Sequence, residues 1–125
     1  RSVKTGKDKD FLRRALVPCK SLDIEKLIES AAMGMEAIYD YLNKTVYSDA
    51  VPALKESAQA FERWCDNRII EYIRPQKYNP FTLSPIAAYL LARENEIKTV
   101  RILLSGKRND IADNVIRERL RDMYV

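Results

Sequence analysis

Residues 79–106 read NPFTLSPIAAYLLARENEIKTVRILLSG. Three prolines between positions 75 and 85 make the approach to this stretch an extended turn. Thr82 or Ser84 then offers an N-cap, and Pro85 fits only in a first helical turn. Gly106 reads as a C-terminal stop. Between these signals lies one long helix. At about 100° per residue, Ile86, Leu90, Ile97, Val100 and Leu104 fall within an arc of about 80°. Leu91 and Ile102 form a second apolar patch, with Glu94, Lys98 and Arg101 between the two. An ordinary surface helix has one apolar side. Two sides predict a central helix with neighbours on both. Isolated buried charge is costly, so its charges are expected to be paired or to line a groove between lobes. Glu94 has Lys98 one turn on, in the favourable order. Arg101 needs a partner from elsewhere.

Working outward, the flanks are also helical. FLRRAL opens a short apolar segment that stops near Pro18. SLDIEKLIES starts from Ser21 as N-cap, and Gly34 ends or bends it before EAIYDYLNKT. SDAVPALKESAQAFERWCDNRIIEYIR reads as one amphipathic run capped by Ser48 or Asp49. Its stripe is Leu54, Ala58, Phe61, Cys65, Ile69 and Tyr72, with Glu62, Arg63, Asp66 and Arg68 left for solvent. Asn109 or Asp110 caps a last helix, IADNVIRERLRDMYV, with Ile111, Val115, Leu120 and Met123 inward. No segment reads as a strand. The fold class expected is an all-α bundle of about five to six helices.

The totals agree with that class. The 125 residues are 46% hydrophobic and 32% charged, with three Gly and five Pro. That suits a globular chain and holds too few turn-formers for a many-stranded sheet fold. The charge is uneven. Residues 1–20 hold seven Lys/Arg against two Asp, residues 21–106 ten against twelve acids, and residues 107–125 five against four. The basic excess therefore lies in a polar segment, 1–20, read as a boundary or linker ahead of a helical domain at 21–125. A nucleic-acid binder wants a basic stripe on a folded face instead. The chain begins at Arg1, with no signal-peptide pattern, and is expected to be part of a larger protein. No apolar run approaches the length of a membrane span.

Most catalytic chemistry has no residues to work with. There is no histidine, and only Cys19 and Cys65 carry thiols. Triads, Cys–His pairs and His-containing zinc sites are excluded. No glycine-rich phosphate loop is present. Glu94 and Glu96 are two apart on a helix, about 200° around it, and cannot converge on one substrate. Arg117 and Arg121 are interleaved by Glu118 and Asp122, the pattern of a solvated face. The two cysteines read as reduced thiols.

The stretch from Asn79 to Val125 resembles the carboxyl-terminal end of the C subunit of the prokaryotic V-type (archaeal-type) ATP synthase, whose eukaryotic counterpart is the d subunit of the V-ATPase. The matching residues are Pro80-Phe81, Pro85 to Leu90, Ala92 to Ile97, Arg101-Ile102, Gly106-Lys107, Ile116 to Leu120, and Tyr124-Val125. Residues 21–78 agree more loosely, through helix order and the Thr45–Tyr47 and Trp64–Arg74 regions. The resemblance implies one lobe of a helical, funnel-shaped central-stalk protein about three times longer than this chain. Such a protein is non-catalytic and holds no cofactor or metal. It couples the rotor shaft to the membrane ion-translocating ring, for proton or sodium transport or ATP synthesis. Its partners are those rotor proteins, with no nucleic acid and no small-molecule substrate. It sits on the cytoplasmic face of the membrane, peripheral to it. The alternative is a helical adaptor or nucleic-acid-binding domain. On the rotor reading, Arg93, Glu94, Glu96, Lys98, Arg101, Lys107 and Arg117 are the candidate partner-interface or inter-lobe residues.

Overall fold

The computed structural model describes residues 2–124. Their regular structure is all helical: α1 (Lys9–Ala15), α2 (Ile24–Met33), α3 (Met35–Leu42), α4 (Ala50–Glu56), α5 (Ala58–Ile73), a 3₁₀ turn (Arg74–Tyr78), α6 (Ser84–Arg108) and α7 (Asp113–Arg119). The expected all-α class holds, with seven α-helices among the described residues rather than five or six. The chain divides into two compact units, Arg1–Lys55 and Glu56–Val125.

In the first unit, Asp23 rather than Ser21 starts α2, its carboxylate accepting the Lys26 N–H at 3.2 Å. The Ser21 hydroxyl instead meets the Tyr47 hydroxyl at 2.7 Å. Gly34 separates α2 from α3 at φ 118°, a conformation that strongly favours glycine. The Tyr41 hydroxyl then ties α3 back to the head of α2. It accepts the Asp23 N–H at 2.9 Å and donates to the Asp23 carbonyl at 3.0 Å. Ile28 and Tyr39 are buried. Within the basic segment, Asp8 caps α1, and Arg13 reaches Glu25 of α2 at 3.1 Å.

The single run expected across residues 48–74 is broken at Ser57. Its extended backbone and its hydroxyl, which accepts the Ala60 N–H at 2.9 Å, start α5 afresh. The register of α5 also differs from the expected stripe. Ile70 and Ile73 are buried, whereas Ile69 and Tyr72 are exposed. Ile70 and Ile73 pack with Ala88 and Ala92 of α6, and Tyr124 lies against them.

Three expectations at the chain's end are corrected. Gly106 does not stop α6, which continues to Arg108. It is instead a buried close-approach point, where an added Cβ would lie 2.7 Å from Ile116 Cδ1. Asn109 is the cap of α6, its side-chain amide donating to the Ser105 carbonyl at 2.7 Å, and Ala112 precedes α7. Finally, the helix expected to run to Val125 stops at Arg119. Leu120 is extended, and no helix is assigned through Tyr124. Met123, expected inward, is exposed.

Candidate functional site

The face of α6 that is buried is not the one its large residues mark. Ala88, Ala92, Asn95 and Gly106 are buried, with Thr99 and Ile102 half-buried on the same stripe. These six recur at three, four and seven residues, within about 80° of one another. Small side chains let α5 and α7 approach closely. Ile86, Leu90, Ile97, Val100 and Leu104 point the opposite way and are 47–63% exposed. The expectation of burial on two sides is therefore corrected within this unit. The chain itself covers one side, and the large apolar face is open.

The seven candidates separate on this frame. Arg93 and Glu96 pair with each other, Arg93 among the large residues of the open face and Glu96 on one flank of it. On the other flank Glu94 and Arg101 make no ion pair among the described residues. The expected Glu94–Lys98 pair does not form, because Lys98 reaches across to Asp66 of α5 at 2.7 Å. Lys107 pairs with Asp113 and closes the α6–α7 turn. Arg117 lies on α7, where its charge adds to the downward pull on the Asp113 carboxyl. The main cause of that pull is the Lys107 hydrogen bond. Thus Arg93, Glu94, Glu96 and Arg101 border the open face, while Lys98 and Lys107 hold the unit together.

Asp66 departs furthest from the sequence expectation. Its position in the amphipathic pattern reads as solvent-facing, yet its side chain is only 14% exposed. Its Oδ1 accepts from Lys98 and its Oδ2 from Arg121 Nε at 2.9 Å. The Arg121 side chain is 11% exposed, so this is a nearly dry pair. Burial pushes the Asp66 carboxyl up, but the hydrogen bonds from Lys98 and Arg121 outweigh it and hold the group below the usual carboxylate range. No local pattern could have flagged it, because Arg121 is 55 positions away. On the same helix, burial pushes the Cys65 thiol up, with the charges of Asp66 and Glu62 adding to it.

Around Asp66, the extended residues after α7 are held by side chains rather than by a backbone ladder. Arg63 donates to the Glu118 carbonyl in the last turn of α7. Asn67 Oδ1 accepts the Asp122 N–H at 2.9 Å, and Asn95 Nδ2 donates to the Asp122 carbonyl at 2.9 Å. Arg74 donates to the Met123 carbonyl at 2.8 Å. The other amide atom of Asn95, Oδ1, is buried with no donor among the described residues. Beside this strap lies an open pocket of about 530 Å³ walled by α5, α6 and α7, with Ile102, Ile111, Val115 and Ile116 in its lining and Arg101 and Arg119 among its charges.

Neither a helix long and apolar enough to cross a membrane nor a cluster of three or more Cys, Asp or Glu able to hold a metal occurs among the described residues. The profile of the ATP synthase (C/AC39) subunit family matches residues 1–119. The C subunit of the A-type ATP synthase of Methanosarcina acetivorans is 28% identical over 95 residues, covering 72% of this chain and 26% of that protein. The C subunit of the V-type sodium ATPase of Enterococcus hirae is 23% identical over 128 residues, covering 99% of this chain and 39% of that protein. The C subunit of the A-type ATP synthase of Thermococcus kodakarensis is 25% identical over 112 residues, covering 86% of this chain and 30% of that protein. The chain thus spans between about a quarter and two fifths of the length of these curated relatives. No solved structure gives a match.

Proposed function

Because the chain belongs to the ATP synthase (C/AC39) subunit family, we propose that it is part of a non-catalytic central-stalk component of a rotary ATPase. In this reading it couples the rotor shaft of the ATP-hydrolysing sector to the membrane ion-translocating ring. It works on the cytoplasmic face of the membrane and is held there by those proteins rather than by a span of its own.

The observation that carries the reading is the open face of α6. Five large aliphatic side chains stand in water on a 25-residue helix whose other side is firmly packed. Large exposed apolar patches rimmed by polar residues mark contact surfaces. Here Glu96, paired to Arg93 on the face itself, stands on one side, and Glu94 and Arg101 on the other. A transmission part needs a stiff element and a partner surface in register. Apolar area supplies affinity, and rim charges set register and association rate more than affinity. Among the described residues, Glu94 and Arg101 have no ion pair to break before they meet a partner protein. The missing histidine and the absence of a phosphate loop fit a part that transmits force and performs no chemistry.

The test is binding of the chain to purified shaft and ring proteins of the same ATPase, beside Glu94→Ala and Arg101→Ala. Each substitution is expected to slow association several-fold and to change its salt dependence, while the helical circular-dichroism signal is kept. If both variants are folded and bind as the parent does, the rim charges have no interface role.

A further inference from the structure

The segment from Leu120 to Tyr124, which follows α7, is bound by α5 and α6 in the way a receptor binds an extended peptide. The groove residues on α5 and at its end are Arg63, Asp66, Asn67 and Arg74, and in that order they meet Glu118, Arg121, Asp122 and Met123. Segment and helix therefore run parallel. Asn67 and Asn95 grip both the N–H and the carbonyl of a single residue, Asp122, whose own side chain is exposed. This is backbone recognition, indifferent to the side chain at that position. Side-chain recognition occurs at two places. Arg121 enters the nearly dry Asp66 carboxylate, and three residues later Tyr124 packs on Ile70, Ile73, Ala88 and Ala92.

We propose that the α5–α6 face is a peptide-recognition groove for an extended segment with arginine at one position and an aromatic residue three positions on, and that residues 120–124 are its resident ligand. Two features support a separable ligand. Residues 120–124 are in no helix or strand, so their release costs no secondary structure. In addition, Asn95 Oδ1 is left without a donor by the resident segment, so the groove can make a bond that this ligand does not supply. The groove's chemistry is independent of the rotor reading, and its test uses neither shaft nor ring protein.

The probe is a labelled peptide of the chain's own sequence Glu118 to Tyr124, with fluorescence anisotropy as readout on full-length chains. Arg121→Ala weakens the resident segment and leaves the groove intact, so it is expected to bind the peptide about tenfold more tightly than the parent. Asp66→Asn damages the groove and is expected to lose that binding. Equal binding by the parent and Arg121→Ala, or undiminished binding by Asp66→Asn, overturns the proposal. Hydrogen exchange on the unsubstituted chain tests it without any risk of misfolding. The Asp122 amide is expected to exchange at least about tenfold faster than that of Ile70 in the α5 interior. Equal protection of the two makes the segment a fixed part of the fold and contradicts the inference.

Discussion

The two faces of α6 are made of opposite materials. The packed face is Ala88, Ala92, Asn95, Thr99, Ile102 and Gly106, and the open face is Ile86, Leu90, Ile97, Val100 and Leu104. A hydrophobicity rule would reverse them. The difference shows that burial within this unit is decided by how closely helices can approach, not by how apolar each side chain is. Small residues give up transfer free energy, but they bring the helix backbones near enough for Ile70, Ile73 and Ile116 to fill the space between. The large residues are then free for a surface outside the unit.

The comparison can be broken from the packed side first. Ile70 is fully buried beside Ala88 and Ala92. Ile70→Ala is expected to cost about 3–4 kcal/mol in urea unfolding followed by the fluorescence of Trp64, the single tryptophan. Next comes Asp66→Asn, which leaves the nearly dry Arg121 guanidinium without its counter-charge. A loss of about 2 kcal/mol is expected at pH 7. The pH dependence has a definite sign. The folded carboxyl sits below its ordinary range, so its contribution is complete above the unfolded value of about 4 and is lost as pH falls through the folded one. The stability gap between the parent and Asp66→Asn should therefore shrink steadily in unfolding curves taken below about pH 4. A gap that widens on acidification would mean the pair does not hold the strap.

A smaller effect is expected from Gly106→Ala, whose new methyl meets Ile116 at 2.7 Å. About 1–2 kcal/mol should be lost, and Ile116→Val in the same chain should return part of it in a double-mutant cycle. Additive losses would mean that the two residues do not press on each other. The smallest effect belongs to the open face. Leu90→Ser with Ile97→Ser should change stability by no more than about 0.5 kcal/mol for each site, because neither residue is buried, Leu90 being 59% and Ile97 47% exposed. A large loss there would erase the contrast between the two faces.

How much of this was legible follows the range of each interaction. The long helix was readable from its own residues, with prolines before it and none past its first turn, but its N-cap was not: Leu83 holds that place without a side-chain cap, Ser84 is already helical, and Thr82 accepts the Ser84 N–H at 3.2 Å. The split at Gly34 was also local. The faces of α6 were not readable, because the alanine-and-glycine stripe carries no hydrophobic signal against five large aliphatics. Gly106 fits the pattern of a stop, and only the position of Ile116 makes it a packing residue. Ser57 was hidden inside a continuous amphipathic pattern, where a serine can serve as cap or as surface with equal ease. Leu120 and Met123 have helical spacing, yet the chain there is extended because Arg63, Asn67, Arg74 and Asn95 satisfy its backbone from a distance. Of the candidate interface residues, Arg93, Glu94, Glu96 and Arg101 do border the open face. Lys98 and Lys107 turn inward to carboxylates whose positions depend on tertiary structure.

The most direct measurement is binding of the chain to the purified rotor shaft and membrane ring proteins of the same ATPase, with and without Leu90→Ser and Ile97→Ser. The account predicts that the parent chain binds and that the folded double variant loses at least about tenfold in affinity with its stability nearly unchanged. Full binding by the folded double variant, or no binding by the parent chain, would contradict the assignment of the open face of α6 as the coupling surface.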